Sequence, residues 1–167
     1  MFSNNMKKIL RIIPISSILF SAVAYSQSVS DLLDSLDQES RNWVSSTCPR
    51  SLGPSLYSNC VRRNANAIRA GIPTTSGLSQ RDANWVSSTC PRSLGPSLYA
   101  NCVRRNVNAI QAGIPTTNGL SREDADWIIS TCPRSLGPSL YSNCVRRNIS
   151  ALRGFWTPVM NLERSKS

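Results

Sequence analysis

"STCPRSLGPSLYSNCVRRN" runs from Ser46 to Asn64 and returns at Ser88–Asn106 with one change, Ser58 to Ala100. It returns unchanged at Ser130–Asn148. Aligning Trp43, Trp85 and Trp127 gives a period of 42 residues. A period in this range marks stacked supersecondary units, none of which buries its apolar face alone. Between Asn42–Asn64 and Asn84–Asn106 only one of 23 positions differs. Asp126–Asn148 differs from the first copy at three. Copies this alike can come from recent duplication, so recurrence alone does not argue that a residue is needed.

Two helices can be read in each unit. In the second copy Ser79 is followed three residues later by Asp82, a capping-box-like start. Asp82, Trp85, Val86, Thr89 and Cys90 then share one helical face. Pro91 ends that helix, because the residue before a proline avoids the helical region. "RSLG" is the turn. Pro96 suits the first turn of a second helix, where its missing N–H costs nothing. That helix stops at Gly113, a C′ glycine, with Pro115 beyond. Its apolar face carries Tyr99, Cys102, Val103, Asn106 and Ile110. The expected fold is all-α: three tandem disulfide-clamped αα-hairpin repeats of 42 residues, stacked as a short solenoid or rod.

Six cysteines, an even count, fall in the three units: Cys48, Cys60, Cys90, Cys102, Cys132 and Cys144. In a small exported chain this reads as a disulfide framework. Antiparallel packing within a hairpin favours 48–60, 90–102 and 132–144, each closing a small ring worth about 3 kcal/mol. The rival is a stitch between units, such as Cys60–Cys90. Metal binding fits poorly, because paired cysteines stand twelve apart and the chain has no histidine. No cofactor is implied.

The chain divides into a leader (1–26), an N-terminal capping segment (27–36), repeats over 37–78, 79–120 and 121–158, and a flexible tail (159–167). The leader has Lys7, Lys8 and Arg11 before an apolar stretch from Ile12 to Ala24, then small residues suited to cleavage. It is expected to direct export to a periplasm or the extracellular space, and no later segment is long and apolar enough to span a membrane. "VSDLLDSL" adds an amphipathic stretch through Val29, Leu32, Leu33 and Leu36. After the third unit, Ala-Gly-Ile-Pro gives way to "GFWTP". Phe155 and Trp156 either cover the open end of the last hairpin or form a patch for a partner.

Charge supplies the candidate site. Taking Lys7, Lys8 and Arg11 from the 19 basic residues leaves 16 against 9 acidic, a net charge of +7. All but Lys166 are arginines. Arg50, Arg92 and Arg134 fall in the turns. Arg62, Arg104 and Arg146 fall on one side of the second helix, and Arg63, Arg105 and Arg147 on the other. Stacking would align each set as a row able to grip phosphate or carboxylate. The plainer reading is solvated surface, with arginine stems covering apolar edges. Asn64, Asn106 and Asn148 lie inside the apolar face and are expected to hydrogen-bond the turn or the neighbouring hairpin. Tyr57, Tyr99 and Tyr141, with Trp43, Trp85 and Trp127, read as core packing. Base stacking on them is the weaker alternative, and export argues further against nucleic acid.

The C…LGPSLY..C stretch, a Gly-Pro-x-x-Tyr between two cysteines ahead of a basic helix, resembles two-cysteine helical repeats of exported bacterial proteins. The resemblance covers residues 43–70, 85–112 and 127–153. It implies an exported repeat module, and implies no activity and no site residues.

Three function classes follow. The leading one is a non-enzymatic binding or structural module of the cell envelope or extracellular space, presenting a basic rod to an anionic cell-surface polymer or an acidic protein. The second is a small cationic effector or inhibitor acting on a membrane or a protease, although no helix is both strongly basic and broadly apolar. The third, an enzyme, is disfavoured. There is no histidine, the one lysine after the leader is Lys166, and the carboxylates Asp82 and Asp124 match Ser40 in the first unit. No catalytic residue is assigned.

Overall fold

The computed structural model describes residues 28–164, with side chains described through Gly154. The expected leader therefore lies outside the described residues, as do the side chains of Phe155 and Trp156. Every described element is helical. α1 (Val29–Asp34) precedes three hairpins: α2 (Gln38–Thr47) with α3 (Pro54–Arg69), α4 (Gln80–Thr89) with α5 (Pro96–Gln111), and α6 (Arg122–Thr131) with α7 (Gly137–Arg164). A single 3-10 turn joins the helices of each pair, over Arg50–Leu52, Arg92–Leu94 and Arg134–Leu136.

The caps follow the sequence. Asp37, Ser79 and Ser121 accept from the backbone N–H three residues on. The Ser40 N–H and hydroxyl hold the Asp37 carboxyl below the usual carboxylate range. Ser28 and Asp31 close a full capping box on α1. Pro54 and Pro96 stand in the first turn of α3 and α5.

The disulfides are Cys48–Cys60, Cys90–Cys102 and Cys132–Cys144, each with Cα atoms 5.7 Å apart. The stitch between units does not occur. Such bonds persist in oxidising compartments. No described helix is long and apolar enough to cross a membrane.

Each hairpin has a core of a few side chains. Val86 and Val103 close on Cys90 in the second, Ile128 and Val145 on Cys132 in the third. The first is larger, because Leu32 and Leu36 of the α1 segment join Val44, Cys48, Val61 and Ala65. The amphipathic stretch thus covers the N-terminal end of the stack. The second helices pack in a row, α3 on α5 and α5 on α7.

The third repeat ends differently from the reading of 159–167 as a tail. α3 and α5 stop where Gly71 and Gly113 take φ of +83° and +84°. Phe155 holds the corresponding place in α7. A side chain disfavours the left-handed conformation, and α7 continues through to Arg164. The expected tail is helical over 159–164, and 165–167 lie outside the described residues.

Candidate functional site

The joint between hairpins decides which of the recurring side chains remain available. Trp43 leaves its own hairpin and meets the next turn. Its indole N–H donates to the Arg92 carbonyl at 2.9 Å. Its ring lies edge-to-face with Tyr99, centroids 5.5 Å apart. The Arg92 guanidinium covers it at 4.3 Å and reaches Glu39 at 3.3 Å. Trp85 repeats the arrangement with the Arg134 carbonyl (2.8 Å), the Tyr141 ring (5.7 Å) and the Arg134 guanidinium (4.0 Å). The tryptophans were expected in the hairpin cores; they serve the seams instead. No described hairpin follows Trp127, which is 62% exposed.

The buried asparagines also work across the seam. Asn64 donates through Nδ2 to the Cys60 carbonyl at 3.0 Å and accepts the Ser97 N–H on Oδ1 at 2.9 Å. Asn106 does the same with Cys102 (3.0 Å) and Ser139 (2.8 Å). α5 has no side-chain cap of its own, so the preceding repeat satisfies one of its orphan N-terminal donors. These are the bonds to the neighbouring hairpin expected of these residues.

The three arginine rows separate accordingly. Arg92 and Arg134 are committed to the tryptophans of the seam, and Arg50 lies over Tyr57 at 5.8 Å. Arg62, Arg104 and Arg146 are exposed on one flank. There Arg104 donates to Asn101 (3.2 Å) and Arg146 to the Gly113 carbonyl (3.5 Å). Arg63, Arg105 and Arg147 are exposed on the other flank and border grooves. Among the described residues, neither of these two rows makes an ion pair.

The grooves contain what the sequence reading missed. Leu52, Leu94 and Leu136 in the turns are 38–43% exposed, and Leu56, Leu98 and Leu140 in the first turns of the second helices are 55–60% exposed. They form two further rows. The first groove, about 400 Å³, lies between Leu52, Leu56, Leu94 and Leu98 with Arg63 at its edge. The second, about 230 Å³, is walled by Leu136 and Leu140 with Arg105. The third, about 370 Å³, has Leu136, Leu140 and Arg147. The signal was present: Leu98 and Arg105 are seven apart, about 20° from each other on a helix and off the core face. Their recurrence in every unit marks a stripe, apolar with a cationic edge. Such a surface suits a ligand that is both anionic and partly apolar.

No family model, curated protein or solved structure matches this chain.

Proposed function

We propose that this is a non-enzymatic exported repeat module that binds an acidic protein segment in the periplasm or outside the cell. The observation that carries the reading is the leucine-walled groove with an arginine on its edge, present once per repeat on one side of the stack. Arginine grips carboxylates bidentately, and the exposed leucines take apolar side chains from the same segment. Three weak contacts on one rod act at high effective concentration. The disulfides, the leader and the absence of histidine from the sequence agree with an exported binding role. An anionic cell-surface polymer is the second reading, supported by the net charge of +7 on the chain without its leader.

The test is binding of the oxidised chain to two fluorescent probes: poly-glutamate, and an acidic peptide with leucines spaced between its carboxylates. The peptide should bind more tightly, and increasingly weakly as salt rises, since exposed charges are screened within about 10 Å at 0.1 M. Replacing Arg63, Arg105 and Arg147 together by Ala should weaken it more than tenfold. Replacing Arg62, Arg104 and Arg146 should do less. Equal binding of both probes, unaffected by Leu56, Leu98 and Leu140 to Ser, favours the polymer. Binding indifferent to either arginine row leaves them as solvated surface. Leakage from anionic vesicles would support the effector class.

A further inference from the structure

The seam that joins the repeats occurs twice inside the chain, and each of its two halves occurs once more, unmated among the described residues, at an end of the stack they form. At the C-terminal end Trp127 is 62% exposed. Asn148 keeps its Nδ2 bond to the Cys144 carbonyl at 3.0 Å, while no described helix follows to offer an N–H to its Oδ1. At the N-terminal end Pro54 is exposed, whereas its counterparts Pro96 and Pro138 are less than 2% exposed. α3 has no side-chain cap, and no described repeat precedes it to supply one.

We propose that these ends mate between copies, joining the chain head to tail with a second molecule of itself. The indole N–H of Trp127 donates to the Arg50 carbonyl, the Arg50 guanidinium covers the indole, and Asn148 Oδ1 accepts the Ser55 N–H. Each contact copies one already made at both internal seams. The two surfaces differ, so the joint is heterologous, and because it repeats the internal seam it extends the stack as an open chain rather than closing an isologous dimer.

α1 modulates the joint. Leu32 and Leu36 pack with Val61 and Ala65 in the later part of α3, and Arg69 donates to Ser35 Oγ at 2.6 Å. α1 therefore occupies the half of α3 that the neighbour's α7 would cover, and competes with it. The intermolecular joint is weaker than the internal seams for that reason.

Sedimentation velocity of the oxidised chain over a range of concentrations tests this. Mass should grow with concentration without a limiting size. Trp127→Ala and Pro54→Glu should each weaken association at least tenfold. An equimolar mixture of those two variants should recover a dimer, because each retains the end the other has lost. Releasing α1 with Leu32→Glu and Leu36→Glu should strengthen association, and adding Trp127→Ala to that background should remove it. Association confined to the released variant, and lost with Trp127→Ala, also supports the joint. A monomer at every concentration in both the parent and the released variant overturns the proposal. So does a closed dimer that Trp127→Ala leaves intact. Circular dichroism confirms that each variant is folded.

Discussion

The single difference between the quoted stretches of the first two repeats falls at a seam. Ser58 has no described repeat before it and is half-buried. Ala100 is 3% exposed against the preceding hairpin. Ser142 stands in the same place at 1% and its hydroxyl has no hydrogen-bond partner. A buried unsatisfied hydroxyl costs about 1–3 kcal/mol, so Ser142→Ala should stabilise the oxidised protein by about 1 kcal/mol. Ser58→Ala should change little. Denaturant unfolding monitored by circular dichroism distinguishes them. The asparagines allow a matched comparison. Asn106→Ala removes the bond to the Cys102 carbonyl and uncaps the Ser139 N–H, at a cost of about 2–3 kcal/mol. Asn148→Ala removes only bonds within its own hairpin, to the Cys144 carbonyl and Cys132 Sγ, and should cost about 1 kcal/mol. Equal losses would mean that capping across the seam contributes nothing.

Elements were legible wherever the information lay within one unit. Ser79, Pro91, Pro96 and Gly113 bracket α4 and α5, and cysteines twelve apart on antiparallel helices could meet without help from another repeat. The asparagine bonds of the seams were legible as polar residues inside an apolar face, but the tryptophan contacts were not, because Trp43 finds Arg92 49 residues later and helical periodicity records only which face is apolar. Trp85 shares a face with Val86 and Thr89, so the wheel placed it in the core; only the stacking of a second hairpin shows that it points outward. The leucine grooves failed for a different reason. Leu98 lay off the core face, where an isolated exposed leucine is ordinary, and its meaning came from threefold recurrence beside Arg105. The glycine between turn and helix shows how an element is fitted to its neighbour. Gly53 and Gly137 both hold positive φ, +81° and +80°. A Cβ at Gly53 would meet nothing within 4 Å, but one at Gly137 would lie 2.3 Å from Thr89 Cγ2. Gly53→Ala should therefore cost only the backbone strain of its positive φ with ψ of 161°, a conformation nearly confined to glycine, about 1–3 kcal/mol. Gly137→Ala should cost about 1–3 kcal/mol more, as overpacking does. Chemical denaturation of the two variants measures the difference.

At the scale of the whole molecule, stability is a sum of small hairpins and the seams between them. The second hairpin encloses little beyond Val86, Val103 and its disulfide, less than a unit of that size needs to fold alone. Thermal melts followed by circular dichroism should therefore show a heat-resistant helical protein when oxidised and a large fall in melting temperature on reduction. An unchanged melt would show that the disulfides do not hold the fold. The seams make the other contribution, and the same residue type reports on it at both ends of the stack. Trp43 joins two hairpins through an indole hydrogen bond, an edge-to-face ring contact and a covering guanidinium. Those interactions contribute about 1, 0.5–1.5 and 0.5–1 kcal/mol in turn. Trp43→Ala should therefore destabilise the oxidised monomer by about 2–3.5 kcal/mol. Trp127 occupies the same position in its hairpin with no described repeat beyond it, and its removal from a dilute monomer should cost less than about 1 kcal/mol, as for other surface substitutions. The measurement is denaturant unfolding at concentrations too low for association. If the two variants lose equal stability, the tryptophans act within their own hairpins, and the stack holds by the second helices alone.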